Sequence, residues 1–305
     1  MHRAALASFV LFTMLPIVGS AESTPADRQK AVLVTGASTG IGRRITERLA
    51  ADGYFVYAGA RKEADLKALG SIKNVQAVRL DVTEVQDIEA AVETVRHGGR
   101  GLFGLVNNAG VATIGTISDM KPEEFDLVMA VNVYGPYRMT RAFEPLIAAE
   151  KGRIVNIGSI SGILAGSPDL IAYDMSKHAL EAFTDCLAVQ MSSYGVRVSI
   201  IEPGNYNSQI GDSVTKRTGV KTRFTERSIY KEPVEVADAA EKALFETSPK
   251  RRYLVVPTQA EAEMTIKKQI QQLAQLNEGQ PYSYDRAALI KMLDEALSQA
   301  RPRTK

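Results

Sequence analysis

The chain has 305 residues, 45% hydrophobic and 24% charged, with one cysteine and no tryptophan. Those fractions exclude a disordered, collagen-like or disulfide-built chain. Lys and Arg number 37 against 35 Asp and Glu, a net charge of +2, which leaves no excess of cations for a nucleic-acid footprint. The three histidines, His2, His97 and His178, stand at no ligand spacing to one another or to Cys186, so no zinc site is expected.

Residues Ala4 to Ala21 carry no charge, follow His2 and Arg3, and end in Gly19-Ser20-Ala21. A short basic start, an apolar stretch and small residues at a cleavage position describe a secretory signal peptide. An uncleaved anchor or a misplaced start are the alternatives. The leader therefore predicts an exported, periplasmic or membrane-anchored protein, or a cytoplasmic one if it does not function. Residues 22–29 read as a polar linker.

From Lys30 the pattern alternates. Ala31 to Thr35 is a short apolar, β-branched run closed by Gly36, as a buried parallel strand requires. Ile41 to Ala51 has helical spacing, Tyr54 to Ala58 and Val75 to Leu80 are strand-like, and Val85 to Val95 is helical. A fourth strand is expected at Leu102 to Val106. A helix over Phe125 to Ala149 follows, bent at Gly135-Pro136. Arg153 to Ile157, Val196 to Ile201 and Tyr253 to Val256 complete the strands, with a long helix over Tyr173 to Tyr194. The alternation predicts an α/β fold: one doubly wound parallel sheet with helices on both faces, a single domain over residues 30–258. Beyond it, residues 259–305 read as a helical extension, with helices at Ala260 to Leu276 and Tyr284 to Ala300. Two amphipathic helices packed on the main domain are the plain expectation; a tail covering a site or a partner is the alternative.

Gly36, Ser38, Thr39, Gly40, Ile41 and Gly42 lie between the first strand and the first helix. Glycine supplies the positive φ of a tight turn and lets backbone approach a pyrophosphate, which the helix N-terminus then attracts. The position favours a Rossmann-type dinucleotide site over a bare turn. After the second strand no acidic residue precedes Glu63, where one would hold the adenosine ribose. Arg61 stands there instead and suits a 2′-phosphate. NADP is expected, with NAD possible; alternatively Arg61 and Lys62 are the solvated start of the next helix.

Thr35-Gly-x-x-x-Gly-Ile-Gly42, Asn107-Asn108-Ala109-Gly110, Asn132, Ser159, Tyr173-x-x-x-Lys177 and Pro203-Gly204 occur in this order. The set closely resembles the short-chain dehydrogenase/reductase family, over about Lys30 to Ser208. The wider phrasing is similar to its retinol, hydroxysteroid and 3-hydroxybutyrate dehydrogenases. The resemblance implies that Asn132, Ser159, Tyr173 and Lys177 are catalytic. It implies that Asp81 lies beside adenine with Val82 also at the cofactor, and that Asn107, Asn108, Ala109 and Gly110 line the cofactor cleft and steady the central strand. Tyr173, Lys177, Pro203, Gly204 and Ser208 would also touch the cofactor, and an oligomer, a homodimer or homotetramer, is expected by the same resemblance. Ser208 stands where the family often has Thr. Ser159 and Tyr173 are 14 positions apart, one more than the family pattern, and the extra residue within Ala165 to Ile171 would reshape the substrate wall.

Within that set, a tyrosine phenol can give a proton to the alkoxide left by hydride transfer, but its ordinary pKa is about 10. Tyr173 and Lys177 share a helix face, and a nearby ammonium favours phenolate. Ser159 would donate to the substrate oxygen, and Asn132 would hold a water linking Lys177 to solvent. His178 reads as structural, and Cys186 as a small buried hydrophobe. Residues 205–233 look irregular and basic, with Lys216, Arg217, Lys221, Arg223, Arg227 and Lys231 against Asp212 and Glu226. A solvated loop and a lid for acidic or acyl-thioester substrates or a membrane surface are equally open.

The expected activity is hydride transfer between NADP(H) and a small-molecule secondary alcohol or ketone. Ile160, Ile163, Leu164, Leu170 and Ile171 around the catalytic groups suggest a lipophilic substrate of steroid, retinoid or acyl type. The rival readings are an NAD-dependent 3-hydroxyacid dehydrogenase, an epimerase or dehydratase with recycled NAD, and a non-catalytic nucleotide-binding protein.

Overall fold

The computed structural model describes residues 29–222 and 225–300; the leader expected at residues 4–21 lies outside them, as does Arg223. Seven strands form one parallel sheet: β1 Ala31–Val34, β2 Phe55–Ala60, β3 Val75–Arg79, β4 Gly104–Asn107, β5 Arg153–Ile157, β6 Arg197–Pro203 and β7 Arg252–Val255. Their order is β3-β2-β1-β4-β5-β6-β7. The chain reverses direction across the sheet between β1 and β4, and open α/β sheets gather ligands at the strand ends beside such a switch.

Successive strand residues point to opposite faces, so one sheet builds two cores. Leu33, Leu105, Ile154 and Val198 face one side, packed with Val92 of α3 (Val85–His97), Phe143 of α5 (Gly135–Ala149) and Met191 of α6 (Ile171–Ser192). Val32, Val34, Val106 and Val155 face the other, with Ile45 and Leu49 of α1 (Gly40–Ala51) and Val236 and Leu244 of α8 (Val234–Phe245). The near-continuous apolar strands are the signature of a sheet covered on both faces. A short α2 (Glu63–Gly70) follows Arg61 and Lys62 directly.

Three local expectations need correction. The helix expected to bend at Gly135-Pro136 instead runs from α4 (Pro122–Met129) through a π-helical segment, Ala130–Tyr134, into α5. Pro136 has no N–H, so the main-chain carbonyl of Asn132 lacks its α-helical donor, and the wider turn begins just before it. The stretch 205–233 is not irregular throughout: α7 occupies Ile210–Thr218 and ends on left-handed Gly219 at φ 76°. Cys186 is exposed, because its place on α6 lies off the stripe of Thr184, Leu187 and Ala188 that faces the sheet.

The extension forms α9 (Gln259–Asn277) and α10 (Arg286–Ala300). Only the start of α9 docks, through Glu261 and fully buried Thr265. Ile270, Leu276 and Leu293 stand more than half exposed, so the pair does not pack along its length.

Candidate active site

A cleft of ≈ 910 Å³ opens at the C-terminal ends of the central strands. It collects every residue singled out from the sequence as catalytic or cofactor-binding except Asn132, which lies behind its wall, and Asn107, which is buried and donates to Asn156 at 2.9 Å within the sheet instead.

On one side stands the glycine loop. Gly36 has φ +63°, and a Cβ there would lie 2.9 Å from the Ala109 Cα; no other residue fits. Gly40 has φ +55°. Asn108 staples the loop from below: its Nδ2 donates to the carbonyls of Thr35 at 2.9 Å and Gly36 at 3.0 Å. The Thr35 hydroxyl in turn accepts the N–H groups of Asn108 and Ala109 at 3.0 and 2.9 Å. Thr39 caps α1 without a side-chain hydrogen bond, and the first turn carries no acid. The free N–H groups and positive dipole end of α1 are therefore available to an anion. The glycine cradle, the uncapped helix start and the length of the cleft fit a dinucleotide.

At the far end of this half, the mostly exposed Arg61 guanidinium lies 3.3 Å from Asp81 Oδ2. The other Asp81 oxygen accepts the Thr83 N–H and hydroxyl at 3.0 and 2.8 Å. Burial by itself would raise the Asp81 carboxyl, but the Thr83 bonds and Arg61 outweigh it and hold it below the usual range. Asp81 and its neighbour Val82 line the cleft, with the Asp81 carboxylate engaged by Thr83 and Arg61.

On the opposite side, Ser159 follows β5 and caps a 3₁₀ turn, Ile160–Gly162, accepting the Ser161 N–H at 3.1 Å. Ser159 and Tyr173 line the same cleft, and the serine side chain acts to lower the Tyr173 pKa. Lys177, one turn after Tyr173, is buried and donates from Nζ to the Ile157 carbonyl at 2.8 Å. The amine stands 5.7 Å from the Tyr173 ring centroid. Burial pushes the phenol up to about 12, with Asp174 adding to the shift and the Ser159 side chain opposing it. Burial likewise brings Lys177 down to about 8, opposed by Glu181. The expected lowering of Tyr173 by Lys177 is thus not found in the structure; desolvation outweighs an amine that is itself turned to a carbonyl.

Asn132 sits in the π segment and is 1% exposed. Its amide pairs with both backbone groups of Val111, accepting N–H at 2.9 Å and donating to C=O at 2.8 Å. The same Nδ2 donates to Ser176 Oγ at 2.9 Å, and that hydroxyl donates to the Tyr173 carbonyl at 2.7 Å. The side chain is fully engaged in joining the segment after β4 to the Tyr173 turn.

Several participants carried no motif. Ser176 is one of two serines in α6, and Asp174 sits beside Tyr173 and lines the cleft. Glu261 reaches from α9 to accept the Asn205 N–H at 2.9 Å, beside Pro203 and Gly204. Met264 of the same helix lines the cleft with Leu164, Leu170, Tyr206 and Tyr230. Ser208 faces Gly40, its Cβ 3.4 Å from where a Cβ on that glycine would stand. His178 bonds its own helix through the Asp174 carbonyl at 2.9 Å. The basic stretch is largely engaged internally: Arg217 pairs with Glu124 and the Ala112 carbonyl, Arg227 with Asp212 at 3.3 Å, and Lys231 with the Pro257 carbonyl at 3.1 Å.

This arrangement has known counterparts. Mitochondrial D-beta-hydroxybutyrate dehydrogenase of Mus musculus is 38% identical over 196 residues, covering 61% of this chain and 57% of that enzyme. Retinol dehydrogenase 5 of Mus musculus is 36% identical, covering 66% and 64%. The chain therefore matches little more than half the length of these relatives. A variant of actinorhodin polyketide ketoreductase with NADPH superposes with a TM-score of 0.66 at 28% identity, over 77% of this chain and 97% of that one. The sequence profile of the short chain dehydrogenases matches residues 30–219, and with the sheet, the glycine cradle and the Ser159–Tyr173–Lys177 group in one cleft, the chain belongs to that family.

Proposed function

We propose that the chain transfers a hydride between NADP(H) and a secondary alcohol or ketone on a lipophilic body. The observation that carries this reading is the Ser159–Tyr173–Lys177 group, set across one cleft from the glycine loop and the α1 N-terminus. Gly36, Ser38, Thr39, Gly40, Ile41 and Gly42 would hold the pyrophosphate, Asn108, Ala109 and Gly110 the nicotinamide half, and Pro203, Gly204 and Ser208 its far side. A bound nicotinamide supplies the hydride chemistry and, when oxidised, a positive charge that favours the phenolate.

The chain's own groups handle the proton. Tyr173 is a phenol at neutral pH, so it is the acid that completes ketone reduction. Ser159 is placed to donate to the substrate oxygen. Lys177 supplies the positive charge behind the phenol. The Asn132 side chain is engaged, so a water relay would use its main-chain carbonyl, which has no α-helical donor.

Arg61 at the mouth of the adenosine half supports NADP, as does the NADPH of the polyketide ketoreductase. Leu164, Leu170, Ile160 and Met264 around the substrate half support an apolar ligand. A second reading, a small 3-hydroxy acid with NAD, is favoured by the likeness to D-beta-hydroxybutyrate dehydrogenase. Assembly into a homodimer or homotetramer is supported by exposed Tyr134 and Tyr137 on one side and Val189 on α6; light scattering tests it. The apolar leader supports membrane targeting or export, tested by mass spectrometry of the native N-terminus after fractionation.

Turnover of a ketone panel, followed by NADPH absorbance, tests the whole. Tyr173→Phe should fold and bind NADPH yet lose at least about 100-fold in turnover; near-normal activity would refute the mechanism. A steroid or long-chain ketone should exceed a small ketoacid in kcat/KM by at least about tenfold, roughly 1.4 kcal/mol. A preference for the ketoacid would select the second reading.

A further inference from the structure

Two buried carboxyl groups lie behind Lys177 and have no part in the mechanism above. Glu181 is one helical turn beyond Lys177 on α6, and Glu202 is on β6 immediately before Pro203-Gly204. They are 9% and 2% exposed. The turn that carries Ser159 closes over them: a Cβ at Gly162 would stand 3.0 Å from Glu181 Oε1.

Their supply of positive charge is short. Arg252 of β7 lies 3.3 Å from Glu181 Oε2 and 3.5 Å from Glu202 Oε1, but its closest contact, 2.7 Å, is with Asp185. Arg251 reaches only Asp185, at 3.7 Å. Among the described residues, the other cation that the Glu181 charge reaches is Lys177, one helical turn away; Ile160, Ser161 and Gly162 add no charge. Oε1 of each glutamate is buried and accepts no hydrogen bond from another residue. The same Arg252 Nε lies within 3.5 Å of an oxygen of each glutamate, which brings the two carboxyls together at one cation. Two bare carboxylates in that position repel, and a single shared proton satisfies both. Burial, followed by the charge of Glu181, pushes Glu202 up to about 7, which makes Glu202 the donor. Glu181 is also raised by burial, but Arg252 opposes the shift.

We propose that Glu181 is a positioning residue for proton transfer, kept ionised by Arg252 and by a proton held on Glu202, so that its charge keeps the Lys177 amine an ammonium. The catalytic part of this inference rests on the function proposed above. Lys177 is buried in a position that strips its proton, and Glu181 is the one group that opposes this.

Lys177 can be titrated without substrate or cofactor, by NMR of the full chain labelled with [13C]lysine, its resonance assigned from Lys177→Arg. Glu181→Gln keeps the shape and removes the charge, and should lower the Lys177 midpoint by about one pH unit. Glu202→Gln leaves the Glu181 charge in place; because Glu202 has itself lost its proton near the Lys177 midpoint, this variant should lower that midpoint, but by clearly less than Glu181→Gln. If Glu181→Gln does not fold, Arg252→Met, which lets both carboxyls take protons, should lower Lys177 in the same direction. In the active enzyme the pH limb of kcat should move with that midpoint while KM for NADPH holds. An unchanged Lys177 midpoint in Glu181→Gln, or equal shifts in both glutamine variants, would overturn the proposal. Because the NMR titration needs no turnover, it decides the electrostatic link even if no ketone is reduced.

Discussion

Removing the Asn132 amide separates its positioning role from simple packing. Asn132→Ala deletes three hydrogen bonds, two to the Val111 backbone and one to Ser176. At about 1 kcal/mol each, the loss is about 3 kcal/mol. For a chain of this size that corresponds to about 5 °C in Tm. The functional loss should be larger than stability alone predicts. Val111 lines the cleft, and the carbonyl of Tyr173 is tied to Asn132 only through Ser176. A folded variant assayed well below its Tm should therefore show kcat reduced at least about tenfold with KM for NADPH nearly unchanged. The assay is a thermal melt by circular dichroism beside steady-state kinetics well below the melting range. A Tm within about 2 °C of wild type, with kcat intact, would show that Val111 and the Tyr173 turn hold their places without the amide, and would refute the reasoning.

Three further outcomes are expected. Gly36→Ala forces a Cβ to 2.9 Å from the Ala109 Cα at a positive φ, so NADPH affinity by fluorescence titration should fall at least about tenfold, a loss of about 1.4 kcal/mol; unchanged affinity would remove the loop from the cofactor site. Arg61→Asp should weaken NADPH relative to NADH, read as the ratio of kcat/KM values, and a wild type that already prefers NADH would refute the assignment. Glu202, raised to about 7 in the folded chain, binds a proton that the unfolded chain has released above the ordinary carboxyl range. Its stabilising contribution is thus present at low pH and lost as pH rises through about 7, and Glu202→Gln should flatten that decline in urea melts; an identical pH slope in both proteins would contradict the shared proton.

The sheet was legible because each strand is a short apolar run that must be covered on both faces, and those runs mark β1, β4, β5 and β6 to within a residue or two. The glycine loop and the Tyr173–Lys177 pair were legible because both are local: a turn of fixed length and one helical repeat. Asn132 was found, but the way it acts was not, since its partner Val111 comes from a different wall of the cleft. The π segment depends on how Pro136 and the Asn132 amide are satisfied together, which periodicity does not encode. The acidity of Tyr173 is likewise not encoded by spacing alone. Spacing places Lys177 on the right face, whereas the balance between its charge and desolvation depends on what surrounds both groups. The Glu181–Glu202 pair joins a helix, two strands and a turn, and no stretch of sequence contains it. In residues 205–233, polar composition suggested loop, yet Val214, buried to 2%, seats α7 against the body.

The first turns of α9 divide their labour. Glu261 grips the main chain at Asn205, and a Cβ on the neighbouring Gly204 would stand on the same carboxylate, so that contact admits little change of shape. Met264 lies less than one turn further on, nearly half exposed, with only its inner part bordering the cleft. A protein lineage exploring new ligands can therefore exchange the side chain at 264 freely while the carboxylate at 261 keeps the floor of the pocket in register. The extension thus offers an adjustable inner surface mounted on a fixed hinge point, with tolerance and constraint separated by three residues of one helix.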